Sequence, residues 1–181
     1  MENMSFKDKN IILGVTGSIA AYKACELARE FIKSGAEVYV VMTKNACEFV
    51  TPLTFQTLSK NPVMLSLFDQ IDDWKPEHIS LAERSDIFVV APATANLIAK
   101  YACGIADDAL TSELLAFTKK VVIAPAMNSA MYLHPTTQKN IELLKKRGVV
   151  IVEPEEGELA CGTEGVGRLA SLNKIISNCE L

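Results

Sequence analysis

The sequence lacks several features that mark other classes of protein. Its apolar runs fall well short of the roughly 20 residues that a membrane-spanning helix needs. The first ten residues are polar and hold no apolar core of a signal peptide. No block of Lys and Arg stands out, and the formal net charge is -4. These absences argue against membrane and nucleic-acid partners, and we expect a cytoplasmic protein.

Cysteine pairs and metal-ligand spacings are also missing. The five cysteines are an odd number, and no Cys-x-x-Cys pair occurs among them. These features indicate free thiols in a reducing compartment and not a disulfide framework, and no metal site is expected. Four of the thiols have no chemical setting and are interpreted as small apolar side chains, namely Cys25, Cys47, Cys103 and Cys179.

The chain is, in contrast, rich in apolar residues. Hydrophobic residues make up 49% of its 181 positions, and the mean hydropathy is +0.19. This length suits one core, so residues 1–181 are assigned to a single domain. The apolar composition favours a sheet buried on both faces, or a subunit that hides surface in an oligomer.

Short apolar runs alternate with segments of helical periodicity along most of the chain. Strands are predicted at 11–15, 38–42, 86–91, 120–124 and 148–152. Helices are predicted at 19–33, 94–101, 108–117 and 135–147. The alternation implies parallel pairing through right-handed crossovers. The predicted fold is therefore α/β: a doubly wound parallel sheet, Rossmann-like or flavodoxin-like, with helices on both faces and its ligand at the carboxyl ends of the strands.

Two segments break this alternation. The segment 51–77 is less regular and is interpreted as a partly helical excursion or a mobile flap. The tail 154–172 holds several glycines and little periodicity, and it is predicted to be a long loop. Long loops in compact domains are often functional, so both segments are candidates for contributing to a site.

The first predicted strand runs into Thr16-Gly17-Ser18, a turn that opens the first helix. The N–H groups and positive dipole at a helix N-terminus suit a phosphate, to which the Ser18 hydroxyl would add a donor. Ser18 is equally consistent with an ordinary N-cap. The second strand ends in Thr43-Lys44, where an NAD-binding fold would place an acidic residue, and the Gly-x-Gly-x-x-Gly fingerprint is absent. A mononucleotide such as FMN therefore fits better than NAD.

The third predicted strand leads into a run of small residues, Ala91-Pro92-Ala93-Thr94-Ala95-Asn96. Small residues let a flat ring lie against the backbone, and Thr94 and Asn96 can hydrogen-bond to polar ring edges or to phosphate. The same segment is also explained as a helix start with Thr94 as its N-cap.

Two further side chains suit a reacting centre. His78 is predicted at the start of a short helix, where the dipole favours the neutral imidazole and so a base, although a surface or capping histidine is the commoner case. Asn128 follows Pro125-Ala126-Met127, and its amide can hold a carboxylate less tightly than Arg, which suits a group that leaves as neutral CO2. Asn128 also suits the N-cap of a short helix, and both roles are compatible.

Cys161 lies in Gly157-Glu158-Leu159-Ala160-Cys161-Gly162, a segment too rich in glycine for a helix or a core strand. A loop here could close over a site. The thiol is interpreted as a proton donor or a nucleophile, and the spacing does not choose between them.

Together these motifs resemble a known family over essentially the whole chain. The chain is similar to the phosphopantothenoylcysteine decarboxylases, within the homo-oligomeric flavin-containing cysteine decarboxylases. The resemblance rests on the motifs at 17–23, 92–96, 125–128 and 159–162, together with His78 and Met131. Two departures are small: Tyr132 replaces the usual Trp, and Thr94 replaces a common Ser.

The resemblance implies an FMN-dependent decarboxylation of 4'-phosphopantothenoylcysteine to 4'-phosphopantetheine in coenzyme A biosynthesis. FMN would oxidise the terminal cysteine to a thioaldehyde, whose C=S accepts the electrons released as CO2 leaves. The resulting enethiolate would then be reduced by FMNH2. His78 would act as the base in the oxidation, and Cys161 would supply the proton in the final reduction.

The resemblance also implies which residues bind each ligand. Asn128 would hold the substrate carboxylate, with the substrate lined by Ala126, Met127, Ala160 and Gly162. FMN would be bound by Gly17, Ser18, Thr43, Pro92, Ala93, Thr94, Ala95 and Asn96. Family members are trimers or assemblies of trimers with flavin at a subunit boundary, so a homo-oligomer is expected. In many bacteria this domain is fused to a synthetase. This sequence ends soon after the cysteine motif, so the stand-alone form is expected.

Four other functions are weighed beside this one. A peptidyl-cysteine decarboxylase of lantibiotic maturation shares the flavin, the histidine and the Pro-x-Met-Asn pattern, but its loop differs from Ala160-Cys161-Gly162. A non-catalytic regulatory subunit that inhibits a protein phosphatase would carry a long acidic tail, which this sequence does not show. A flavin-binding electron carrier could share the fold. A flavin prenyltransferase would have a phosphate turn richer in Gly and Ser.

Overall fold

The computed structural model describes residues 5–67, 77–158, 162 and 164–180, with the side chains of 77–80 outside that description. Its centre is a six-stranded sheet in which every pairing is parallel. The strands are β1 (Asn10–Val15), β2 (Glu37–Met42), β3 (Val63–Met64), β4 (Ile87–Ala93), β5 (Lys120–Pro125) and β6 (Val150–Ile151). Their order across the sheet is β3-β2-β1-β4-β5-β6, with the chain reversing its direction of travel beside β1. The predicted doubly wound α/β sheet is confirmed.

Helices cover both faces of this sheet. They are α1 (Ala21–Lys33), α2 (Pro52–Ser59), α3 (Glu77–Arg84), α4 (Ala95–Cys103), α5 (Ala109–Ala116), α6 (Ser129–Tyr132), α7 (Pro135–Lys146) and α8 (Leu172–Cys179), with a 3-10 helix at Lys44–Glu48. All four predicted helices are confirmed to within two residues at each end. No helix within the described ranges is long and apolar enough to cross a membrane.

Strand alternation divides the apolar residues into two packed layers. In β1, Ile11 and Leu13 pack with α1 and α8, while Ile12 between them packs with α4 and α5 on the other face. The strands are buried on both faces, and burial of such side chains stabilises the fold by about 1.5–3 kcal/mol each. This two-sided burial is the physical reason for the apolar composition.

The tail is not the long loop that the sequence predicted. β7 (Glu155–Glu158) pairs antiparallel with β8 (Glu164–Arg168) in a separate hairpin, and α8 follows. Local pattern did not reveal these strands, because β7 reads Glu-Glu-Gly-Glu and β8 contains two glycines, all poor strand formers. Two long-range packing contacts of β8, described below, favour the extended conformation instead.

The segment 51–77 is only partly described. Its helical part is confirmed by α2, which begins with Pro52 at its first position. The two-residue strand β3 was not predicted, since a strand this short leaves no periodicity to detect. Residues 68–76 lie outside the described residues, so the flap interpretation stays a prediction.

Candidate functional site

Thr16 ties together the carboxyl ends of the two central strands. Its side chain is 1% exposed, and its Oγ1 donates a hydrogen bond to the Pro92 carbonyl at 2.8 Å. The same oxygen accepts a hydrogen bond from the Thr94 N–H at 3.0 Å. The turn after β1 and the turn after β4 are therefore held side by side. Sequence reasoning named Thr16 only as part of a turn, although a hydroxyl placed directly after a buried strand was a signal available to it.

The turn after β1 is shaped by packing as well as by capping. A Cβ at Gly17 would lie 2.5 Å from the Asn45 Cβ, so the 3-10 helix excludes any larger residue at this position. Thr43 caps that 3-10 helix by accepting a hydrogen bond from the Ala46 N–H at 3.3 Å. The Ser18 Oγ accepts from the Ala20 N–H at 3.3 Å within the turn. The N-cap of α1 is Ala20, which has no side-chain cap, so the interpretation of Ser18 as an ordinary N-cap is wrong. Gly17, Ser18 and Thr43 thus lie together at the carboxyl end of β1 and β2.

The segment after β4 combines buried and accessible residues. Pro92 and Ala93 are buried in the last part of β4, and the Ala91–Pro92 peptide bond is cis. Thr94 is the N-cap of α4, accepting from the Leu97 N–H at 3.4 Å, as the capping interpretation predicted. Asn96 is exposed on the first turn of α4. Only the outer part of this segment can therefore meet a ligand through its side chains.

Asn128 begins the single turn of α6. Its Oδ1 accepts a hydrogen bond from the Ala130 N–H at 2.8 Å, which confirms the predicted N-cap. Because the cap engages the amide oxygen, recognition of a carboxylate would use the amide nitrogen. The preceding Ala126 N–H donates to the Ala93 carbonyl at 3.0 Å, so the turn after β5 adjoins the turn after β4.

The hairpin packs against the turn that carries Asn128. The Met127 N–H donates to the Gly167 carbonyl at 3.0 Å. Gly167 has a φ of +136°, and a Cβ there would overlap the Met127 carbonyl oxygen. A Cβ at Gly165 would overlap the Ser129 hydroxyl in the same way. The two glycines therefore allow β8 to approach the turn closely, which a larger residue would prevent.

The base of the hairpin is fixed by a second contact. The Ser171 N–H donates to the Glu155 carboxylate at 2.8 Å. This hydrogen bond, with Arg168 nearby, holds the pKa of Glu155 below its usual range. The hairpin is thus anchored at its start and along β8.

These elements enclose a cavity of about 710 Å³ between the start of α1, the 126–128 turn and the hairpin. It brings together five of the predicted site residues, namely Ser18, Ala126, Met127, Asn128 and Gly162. The remaining lining residues are Ile19, Ala20, Tyr22, Lys23, Glu158, Gly167, Arg168 and Leu169. Of the predicted FMN residues only Ser18 lines the cavity, and Gly17, Thr43 and the 92–96 segment do not. These other residues follow β1, β2 and β4 at the same edge of the sheet.

Two cationic lining residues were missed by sequence reasoning. Lys23 lies one turn into α1, and Arg168 ends β8. With Glu158 they give the cavity wall two positive formal charges and one negative charge. Lys23 belongs to the 17–23 motif and Arg168 to the tail that was predicted to be a loop, and only the packing of the hairpin on the sheet edge brings them to one cavity.

Three predicted residues are described partly or not at all. His78 is the second residue of α3, as predicted for the start of a short helix, but its side chain lies outside the described part of the chain. Ala160 and Cys161 also lie outside the described residues. The other histidine, His134, is the N-cap of α7 and accepts from the Thr136 N–H at 3.2 Å.

Comparison with known proteins identifies the family. Residues 2–180 match the family described as Flavoprotein. The chain belongs to this flavoprotein family. Its doubly wound sheet and the cavity at the carboxyl ends of the strands are therefore features of a flavoprotein.

Two curated relatives are similar over nearly the whole chain. The chain is 49% identical over 173 residues to the coenzyme A biosynthesis bifunctional protein CoaBC of Bacillus subtilis, covering 96% of this chain and 43% of that protein. It is 48% identical over 174 residues to a probable phosphopantothenoylcysteine decarboxylase of Streptococcus mutans, covering 95% of this chain and 97% of that protein. The chain thus spans less than half the length of the bifunctional relative.

Solved structures show the same fold. A PPC decarboxylase variant complexed with pantothenoylaminoethenethiol superposes with a TM-score of 0.81 at 32% identity, covering 94% of this chain and 96% of that one. The FMN-dependent cysteine decarboxylase SpaF also superposes with a TM-score of 0.81, at 30% identity, covering 96% of this chain and 98% of that one. Structural likeness alone therefore does not separate these two activities.

Proposed function

We propose that residues 1–181 act as one flavoprotein domain that catalyses the FMN-dependent decarboxylation of 4'-phosphopantothenoylcysteine to 4'-phosphopantetheine in coenzyme A biosynthesis. The choice of substrate is supported by the relative named as a probable phosphopantothenoylcysteine decarboxylase, and the pathway by the relative named for coenzyme A biosynthesis. The observation that carries the proposal is the cavity itself, which places the Asn128 amide opposite a hairpin and beside the opening turn of α1.

The residues at the sheet edge fit FMN. The start of α1 has a partial positive charge suited to a phosphate, and among the described residues the Ile19 N–H makes no hydrogen bond within the chain. Thr16 holds this turn against Thr94. In this proposal, hydroxyl and amide groups from 17–18, 43 and 92–96, which lie at the carboxyl ends of β1, β2 and β4, bind one FMN. Bound FMN supplies the two-electron oxidation of the cysteinyl group and its later reversal.

The cavity residues fit a doubly anionic substrate. Asn128 would hold the carboxylate through its amide nitrogen, with Ala126, Met127, Ala160 and Gly162 lining the substrate. A neutral amide stabilises the carboxylate less than an arginine would, so less binding energy is lost when CO2 leaves. Lys23 and Arg168 supply positive charge for the phosphate of the substrate.

Proton transfers are assigned to His78 and Cys161. His78, in the first turn of α3, would take a proton during the oxidation, because the helix N-terminus favours the neutral imidazole. Cys161 would donate a proton to the enethiolate in the final step, since it stands in the sequence between Glu158 and Gly162, which both line the cavity.

A homo-oligomer, a trimer or an assembly of trimers, belongs to the same proposal, as does a cytoplasmic location. Large apolar side chains are exposed beside the proposed FMN region, including Ile19 at 54%, Tyr22 at 55% and Leu53 at 69%. Exposed apolar residues grouped in this way favour burial against another copy of the chain. Sedimentation equilibrium that gave only monomers with flavin bound would contradict the oligomer.

The function is tested by assaying purified wild-type protein supplied with FMN. We expect CO2 release, the mass of 4'-phosphopantetheine in the products, and an unchanged flavin absorption spectrum at the end of turnover. A peptide ending in cysteine is the matched alternative substrate, because SpaF is a cysteine decarboxylase of the same fold. Turnover of the peptide alone would show a peptidyl-cysteine decarboxylase, and CO2 release from neither substrate would contradict the proposal.

A further inference from the structure

Tyr132 and Glu153 form a contact between two parts of the molecule that border the cavity. Tyr132 is the last residue of α6 and is 7% exposed. Its hydroxyl donates a hydrogen bond to the Glu153 carboxylate, which also accepts from Lys145 of α7. The Glu153 carbonyl accepts from Lys174 of α8 at 2.8 Å. Glu153 is therefore held from both sides, and Tyr132 is held by Glu153.

This contact is linked directly to Asn128. The Tyr132 N–H donates to the Asn128 carbonyl at 3.0 Å, and Asn128 in turn caps the Ala130 N–H. Asn128 and Tyr132 are thus the two ends of one helical turn. A turn of four residues is too short to be stable alone, so its orientation depends on its tertiary contacts.

Glu153 is linked equally directly to the hairpin. It lies two residues before β7, whose partner β8 carries Gly167 and Arg168 on the cavity wall. The Tyr132–Glu153 hydrogen bond therefore connects the turn that holds Asn128 with the start of the hairpin on the opposite wall.

We propose that the Tyr132–Glu153 hydrogen bond is a positioning contact that sets the Asn128 amide relative to the hairpin across the cavity. Neither residue lines the cavity, so both act through Asn128 rather than on the substrate. The inference rests on the proposed function, because it assigns to Asn128 the recognition of a substrate carboxylate.

The electrostatics of the pair keep the contact intact around neutral pH. Burial raises the pKa of Tyr132, and the carboxylate of Glu153 raises it further, so the phenol remains a donor. Burial also acts to raise the pKa of Glu153, but hydrogen bonds from Lys145 and Tyr132 outweigh it and leave that pKa below its usual range. The phenol and the carboxylate are thus a matched donor and acceptor, and Lys145 and Lys174 are the charged groups that face them.

The test uses the flavin-loaded enzyme with Tyr132→Phe and Glu153→Leu, singly and together. Leucine removes the acceptor of the Tyr132 hydroxyl, whereas glutamine would keep one. Each single variant is expected to raise KM for 4'-phosphopantothenoylcysteine about tenfold while changing kcat much less, because a misplaced Asn128 weakens binding of the carboxylate. The double variant is expected to resemble either single variant, since both changes remove one contact. Tyr132→Trp should recover most of the affinity, because an indole N–H can donate to the same carboxylate.

A matched control separates positioning from stability. Tyr101→Phe removes another half-buried phenol, on α4 and outside the cavity lining, and should leave KM unchanged. A purely structural role of Tyr132 would lower the amount of active enzyme, and so the apparent kcat, without changing KM. An unchanged KM in Tyr132→Phe, or fully additive effects in the double variant, would overturn the inference. If Tyr132→Phe does not fold, Glu153→Leu gives the same test.

A second measurement does not depend on catalysis. In flavin-free protein, the Ala130 amide reports the Asn128 cap, and its hydrogen exchange should be about tenfold faster in Tyr132→Phe than in wild type. Equal exchange in both proteins would contradict the positioning role even if wild type proved inactive. Wild-type inactivity with faster exchange in the variant would contradict the proposed function alone.

Discussion

The two halves of the candidate site are built in different ways. On one half, the turns after β1 and β4 follow regular strands, begin regular helices and are joined by the buried Thr16 side chain. On the other half, the Asn128 turn is short and is held by a hairpin and by Glu153, which lie about 25 to 40 residues later in the sequence. The first half depends on local capping and strand order, whereas the second depends on long-range packing. Substitutions should separate the halves accordingly.

The largest expected effect separates FMN binding from catalysis. His78→Asn should fold and retain yellow flavin but release CO2 at least about 100-fold more slowly, because a general base contributes about 10²–10⁴ in rate. The measurement is CO2 release with flavin absorbance recorded on the same sample. His134→Asn is the matched control, since Asn preserves the cap of α7. Full activity of His78→Asn would remove the base role.

The next effect concerns Cys161, which stands between β7 and β8 in the sequence. Cys161→Ser should release CO2 at close to the wild-type rate but accumulate the oxidised enethiol, because a hydroxyl is a much weaker acid than a thiol. Mass spectrometry of the products distinguishes the enethiol from the reduced thiol by two hydrogens. Cys103→Ser, at an exposed cysteine of α4, is the control. A normal yield of reduced product in Cys161→Ser would exclude Cys161 from the mechanism.

Gly167→Ala tests whether the hairpin must approach the Asn128 turn closely. The left-handed φ and the overlap with the Met127 carbonyl should together lower the free energy of unfolding by about 3 kcal/mol or more. They should also detach β8 from the Asn128 turn. Urea unfolding gives the stability, and flavin affinity is expected to change much less than KM. Gly104→Ala shares a positive φ but has open space for a Cβ, so it should cost only about 1 kcal/mol. Equal costs for the two variants would contradict the close-packing argument.

Thr16→Val tests the other half of the site. The substitution keeps the shape of the side chain but leaves the Pro92 carbonyl and the Thr94 N–H without their buried partner, at a cost of about 2–4 kcal/mol. We expect weaker FMN binding, measured by fluorescence titration, with KM less affected than in Gly167→Ala. Thr16→Ser retains the hydroxyl and should bind FMN nearly as wild type does. Unchanged FMN affinity in Thr16→Val would mean that Thr16 does not organise the cofactor region.

The smallest expected effect is the change in KM when one positive charge is removed from the cavity wall. Arg168→Gln should raise KM about fivefold with little change in kcat, because a partly solvated cation contributes about 1 kcal/mol to binding of a phosphate. Arg29→Gln, an exposed position of α1 outside this cavity, is the control. The effect should shrink when dephosphorylated substrate is used. An equal effect on both substrates would assign Arg168 to another part of the substrate.

The accuracy of the sequence predictions differs between the halves for a physical reason. The N-caps Thr94 and Asn128 were predictable because each cap joins groups only two or three residues apart. Gly167 and Glu153 were not predictable as site-forming residues, because their partners Met127 and Tyr132 are distant in sequence. The roles of His78 and Cys161 stay predictions from resemblance, since their side chains lie outside the described residues.

Alternating apolar runs and helical stripes were enough to predict the parallel sheet, its two layers of helices and the sheet edge where the cavity lies, because the periodicity of apolar residues is a local property of the sequence. The motifs around Ser18 and Asn128 likewise indicated flavin chemistry. Which side chains share one cavity was decided by packing. Lys23 and Arg168 line one cavity because Gly165 and Gly167 let the hairpin lie against α6. A close contact between segments that are distant in sequence produces no periodic pattern of residues.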